Sequence, residues 1–145
     1  MESSFWLAAS LPAYTVLSGA QQGLITGMFR EFLPPKYQEW VDAALHYGGV
    51  LIYGLLAAVV AYAVGDWRMV IAATVWRIAL FDVCHNASRA WFAHRNKVTP
   101  VAIFAVGTSA WSDKALQRLA RTFGGNASVY SAALRLAALV SLLFL

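Results

Sequence analysis

Between Ala43 and Val64 the chain runs for 22 residues with His46 as its one ionisable group besides tyrosines. Wound into a helix at 1.5 Å per residue, such a run is about 33 Å long, close to the roughly 30 Å of a bilayer's hydrocarbon core. Few environments other than lipid accept a helix that is apolar all round. The rest of the sequence leads the same way. Of the 145 residues, 60% are hydrophobic and 12% charged, against about 45–50% and 25% in soluble domains. A single domain of this length cannot bury so much apolar surface within itself. The expected fold is therefore an all-α, polytopic membrane helical bundle over residues 1–145.

Three further segments suit membrane spans. Residues 5–29 are apolar but carry Tyr14, Ser18, Gln21, Gln22 and Thr26. Ser18-Gly19-Ala20 resembles a signal-cleavage pattern, but the stretch before it holds Glu2 and no Lys or Arg, so it reads as a retained helix. Residues 69–87 contain Arg77 and Asp82, and residues 127–145 contain Arg135. Pro34-Pro35 breaks the charged stretch Arg30–Asp42, which reads as a loop. The short link Gly65-Asp66-Trp67-Arg68 makes segments two and three antiparallel neighbours. Residues 98–110 are apolar but too short to cross comfortably, and they read as a re-entrant or interfacial element. From 113 to 123, Leu116, Leu119, Ala120 and Phe123 share one face and Lys114, Arg118 and Arg121 the other, the pattern of an amphipathic helix on a membrane surface.

The net charge of +4 could suggest nucleic acid. The basic residues stand between apolar segments, however, and read as topology signals and contacts to anionic lipid headgroups at Arg89, Arg95, Lys97, Lys114, Arg118 and Arg121. No nucleic-acid partner is expected. That segment holds six Lys and Arg, loop Arg30–Asp42 two and the Gly65–Arg68 turn one. Placing both richer loops in the cytoplasm requires four spans with both termini outside, in a bacterial inner membrane.

Gly19, Gly23 and Gly27 recur every fourth residue and line one helix face with hydrogen atoms, which invites close helix packing, within the chain or with a second copy. Polar residues form stripes as well. Asp42, His46, Gly49 and Tyr53 follow helical spacing in segment two, and Asp82, His85, Asn86 and Arg89 do so in segment three. Tyr14, Ser18, Gln22 and Thr26 form a third stripe in segment one. His46 and His85 lie at equal depth from the Gly65 turn. Asp42 with His46 and Asp82 with His85 offer carboxylate and imidazole donors suited to Zn, Fe or Mn, with His46, Asp82 and His85 as the metal candidates. No HExxH or ExxH pair is present. Asp82 is the sole acid within the three later spans, so Arg135 should pair with it, while Arg77, five residues before Asp82, falls on another face. Asp113 and Gly107-Thr108-Ser109 could form a hydrogen-bonding loop, but Ser109 is not in a nucleophile elbow. The single cysteine, Cys84, rules out an intrachain disulfide. The Asn86 and Asn126 sequons read as chance.

The order Trp76-Arg77, Phe81-Asp82, Asn86, Gly107-Thr108-Ser109 and Asp113 resembles a pattern in uncharacterised small bacterial integral membrane proteins. The resemblance covers residues 40 to 120 and implies a membrane location without an activity or a cofactor. Two functional readings stand. In one, the chain is a non-catalytic subunit or assembly scaffold, alone or as a homo-oligomer, and its polar cluster is structural. In the other, Asp42, His46, Asp82, His85, Asn86 and Asp113 build a membrane-embedded ion- or metal-binding enzyme or transporter.

Single cysteines placed at Lys97 and Lys114 in a Cys84→Ala background test the expected topology. Both should resist an impermeant thiol reagent in intact cells and react once the membrane is opened; labelling of intact cells at either position rules the arrangement out.

Overall fold

The computed structural model describes residues 2–93, 103–106 and 111–144. The described residues are helical nearly throughout and contain no strand. Helix α1 spans Glu2–Phe32 and α2 spans Pro35–Val64. A third rod follows without interruption: α3 (Arg68–Trp76), a π-helical turn (Arg77–Phe81) and α4 (Asp82–Ala93). Then come α5 (Trp111–Phe123) and α6 (Ala127–Ser141), the latter ending in a 3-10 turn, Leu142–Phe144.

Among the described residues, three helices are long and apolar enough to cross a membrane: Pro35–Val64, Arg68–Phe92 and Ala127–Phe144. At most 22% of the apolar window of any of them is buried within the chain. Large side chains such as Leu51, Leu55, Tyr62 and Leu136 therefore point outward. That surface matches hydrocarbon and not water.

Several boundaries differ from the sequence expectation. The expected loop Arg30–Asp42 contracts to Leu33-Pro34, because Pro35 occupies the first turn of α2, where a missing N–H costs nothing. Segment three runs six residues past Ala87, to Ala93. Segment four gives up its α-helical geometry at Leu142. Of the expected re-entrant stretch 98–110, the described residues are 103–106; Arg95, Lys97 and Gly107-Thr108-Ser109 lie outside the description.

The hairpin between α2 and α3 is closed by local chemistry. Gly65 takes a left-handed conformation (φ 74°), and its N–H donates to the Ala61 carbonyl at 2.9 Å. Asp66 Oδ1 then accepts from the backbone N–H of Arg68 at 2.9 Å. At the other end of the chain, Asn126 caps α6 by accepting from Ser128 N–H at 2.9 Å.

Helix α1 is the centre of the packing. It lies against α2, α3, the π turn and, most extensively, α4. α6 packs on α3 and the π turn, and α5 on α6. The inward face of α1 reads Leu11, Thr15, Ser18, Gly19, Gly23, Thr26 and Gly27, all buried at helical spacing. Its apolar residues Phe5, Trp6, Leu17 and Phe32 face outward. This helix thus inverts the arrangement of a soluble core, with small and polar groups inside and large apolar ones outside.

The three glycines meet the third rod. A Cβ on Gly19 would stand 2.7 Å from the Phe81 carbonyl oxygen. One on Gly23 would collide with the His85 carbonyl oxygen and lie 2.9 Å from its carbon. One on Gly27 would meet the Phe92 ring at 3.2 Å. The backbones of α1 and α4 are therefore in direct contact at Gly23.

Gly23→Leu should force these helices apart and lower stability in detergent by about 1–3 kcal/mol or more. Gly48→Ala, where an added Cβ meets nothing within 4 Å, should change it little, or raise it by up to about 1 kcal/mol. Equal melting temperatures for Gly23→Leu and the parent protein would refute the close contact.

Candidate functional site: a polar groove beside the third rod

Several junctions carry a polar link. The Thr26 hydroxyl on α1 donates to Asp42 Oδ1 on α2 at 3.1 Å. The Tyr53 hydroxyl on α2 donates to the Ala73 carbonyl of α3 at 2.9 Å, and its ring stacks on Tyr14 of α1 at 6.0 Å between centroids. Arg135 on α6 donates to Asp82 Oδ2 on α4 at 2.7 Å. Asn86 Nδ2 donates to the carbonyls of Ile103 and Ala105, each at 3.1 Å, and so fastens the segment after α4 to the rod. In hydrocarbon, where no water competes, such bonds have no alternative partner.

The Arg135–Asp82 pair is asymmetric. The Arg135 side chain is 10% exposed and that of Asp82 is 52% exposed. Arg135 also donates to the hydroxyl and the carbonyl of Ser131, one turn back on its own helix. The guanidinium is thus held in place from below and presented to the carboxylate.

The second arginine is arranged differently. Arg77 opens the π turn. Its guanidinium lies 4.1 Å from the centroid of the Phe81 ring and 5.4 Å from that of Tyr53. Both terminal nitrogens, Nη1 and Nη2, are buried without a hydrogen-bond acceptor. Stacking on aromatic faces stabilises a desolvated cation by about 2 kcal/mol. Removing an ion from water costs several kcal/mol even after relaxation. The rings therefore compensate only part of the burial. A Cβ on Gly49 would stand 3.7 Å from Arg77 Nη2 and collide with the Gln22 amide, so this glycine makes room for both polar chains.

Arg77, Ile78, Phe81 and Asp82 share one groove with His46, Val50, Tyr53 and Gly54 of α2 and with Thr74. Its volume is about 320 Å³. It exists because α2 packs on α3 while α4 packs on α1, so that α2 and the far half of the rod diverge. The expectation that Arg77 and Asp82 lie on different faces fails because of the π turn: with i→i+5 bonding, residues five apart stand nearly above one another.

The two histidines converge on Phe81. The His46 ring is 6.5 Å from it and the His85 ring 6.0 Å. Asp42, His46, Asp82 and Arg89 all lie within electrostatic reach of His85. Asp42, His46, Asp82 and His85 thus lie in one region of the bundle, and two other expected members serve elsewhere. Asn86 serves the 103–106 segment. Asp113 stands in the first turn of α5, which packs on α6. Among the described residues no three His, Cys, Asp or Glu side chains come together as a metal-binding group, so His46, Asp82 and His85 are neighbours and not a ligand set.

Two buried residues were given no role from sequence, Phe81 having entered only within the Phe81-Asp82 pattern. Thr15 is wholly buried and donates to the Leu11 carbonyl at 2.9 Å. Phe81 touches Arg77, His46 and His85; its place four residues after an arginine was the available signal.

Comparison with protein-family models, with curated proteins and with solved structures finds no match for this chain.

Asp82→Leu leaves Arg135 buried without its carboxylate and should cost about 3–5 kcal/mol. Adding Arg135→Leu should recover most of that loss. Denaturation of Asp82→Leu, Arg135→Leu and the double variant in micelles measures the coupling; a double variant as unstable as the two single losses added together would show that the pair is not coupled.

Proposed function

We propose that this chain is a four-span membrane protein that acts as a non-catalytic subunit or assembly scaffold, its polar cluster being structural. The observation that carries this reading is the distribution of the polar links. Thr26–Asp42, Tyr53–Ala73, Asp82–Arg135 and Asn86–Ile103 each join different parts of the fold. Of the residues that could have formed a reactive centre, Asp42, Asp82 and Asn86 are engaged in holding the bundle together.

Helix α1 is the fourth span in this proposal. Its 31 residues exceed the length a bilayer needs. Its average apolarity is lowered by Thr15, Ser18 and Thr26, which are buried against the other helices and never meet lipid. Both termini then lie outside, in keeping with the charge bias expected of a bacterial inner membrane. The bonds from Asn86 to residues 103 and 105 draw the chain back about 10 Å from the end of α4, at seven residues of helix rise, as a re-entrant element would. Helix α5 keeps Lys114, Arg118 and Arg121 exposed along with Leu119 and Phe123, which suits anionic headgroups above acyl chains. The broad apolar surface of α2 leaves room for a protein partner or a second copy. The orphaned guanidinium beside an open groove favours, as a second reading, an ion-binding protein or transporter.

Metal analysis of the detergent-purified protein, with its oligomeric mass, separates these readings. The scaffold reading expects no stoichiometric transition metal and a defined oligomer or stable complex. Stoichiometric zinc, iron or manganese, lost on replacing His46 or His85, would overturn it.

A further inference from the structure

We propose that the groove between α2 and the third rod binds the head of an anionic amphiphile, a carboxylate or phosphate bearing an acyl chain, with Arg77 as its anchor. Charge accounting at the groove points to an anion. Arg135 is matched by Asp82. Arg77 keeps two buried terminal nitrogens without an acceptor, so the three groups together carry one uncompensated positive charge. A guanidinium offers paired, parallel N–H groups, the geometry that carboxylates and phosphates accept.

The shape of the groove points to an amphiphile and not to a small free ion. Its walls combine the polar groups His46, Arg77 and Asp82 with the apolar surfaces of Val50, Gly54 and Ile78. Arg77 lies nine residues into the third rod, about 14 Å from its start and near the middle of a core roughly 30 Å thick. His46 lies 19 residues before Gly65, about 28 Å from the hairpin and so at the opposite headgroup level. The groove therefore joins the membrane surface at His46 to mid-depth at Arg77, a path along which a head can enter while its tail stays in lipid. The guanidinium lies over Phe81 in the wall of the groove. It sits on a π turn, a distortion that recurs at functional sites. The site stands independently of the scaffold reading.

The test is thermal unfolding of the full-length protein in detergent, titrated with oleate, with phosphatidylglycerol and with methyl oleate, which has the same chain and no charge. Oleate or phosphatidylglycerol should raise the melting temperature saturably and methyl oleate should not. A response to oleate alone assigns the site to free fatty acids, and one to phosphatidylglycerol alone assigns it to phospholipid headgroups. Arg77→Gln should weaken the response at least tenfold. Gly54→Leu supplies a second variant, because an added Cβ there meets nothing within 4 Å; it should fold, fill the groove and abolish the response with Arg77 intact. Equal shifts with oleate and methyl oleate, no shift with either anion, or a full response in Gly54→Leu would each overturn the proposal.

Discussion

The fold depends on the approach of α1 to α4 at Gly23. Within a bilayer, apolar side chains gain nothing by leaving lipid for one another, so helices associate through close van der Waals contact and hydrogen bonds. Gly23 lets the α1 backbone rest on the His85 carbonyl, and Gly19 and Gly27 extend the contact about one turn to either side, to Phe81 and Phe92. With α1 in that position, Thr26 reaches Asp42 and Tyr14 reaches Tyr53. The Thr26–Asp42 bond and the Tyr14–Tyr53 stack depend on the position of α1, whereas Tyr53–Ala73, Asp82–Arg135 and Asn86–Ile103 join other elements.

The same geometry explains why the two arginines differ: Arg77 leaves both terminal nitrogens without an acceptor, Arg135 only its Nε. Arg135 meets Asp82 and Ser131 from a helix that packs directly on the π turn. Arg77 projects toward α2 at the level where α2 begins to diverge from the rod, and there it meets ring faces in place of acceptors. Burial without a full partner is costly, and it persists because Phe81, Tyr53 and Gly49 together shape the space around one guanidinium.

Much of this was legible in the sequence. The length and purity of Ala43–Val64 implied a long apolar helix, the four-residue glycine period implied close packing, and the lone acid of the later spans pointed to Arg135. These features depend on one helix or on a charge with a single available counterpart. The start of α2 was not legible, because a double proline reads as a break although Pro35 suits a first helical turn. Nor was the angular relation of Arg77 to Asp82, which assumed 3.6 residues per turn throughout. The role of Asn86 depended on where a distant segment returns, and periodicity within one helix holds no information about that.

The π turn has a consequence for how one rod serves two neighbours. An uninterrupted α-helix from Arg68 to Ala93 would present a single continuous stripe. One extra residue in the turn advances everything beyond it by about 100° about the helix axis. α3 can then face α2 while α4 faces α1. The bulge acts as a phase shifter, and the residues beyond it are in register with their partners only because of it. An unbroken α-helix through the same residues would swing Asp82 and Asn86 by about that angle away from Arg135 and the 103–106 segment. In this chain the spacing between the two charged motifs carries as much structural information as the motifs themselves.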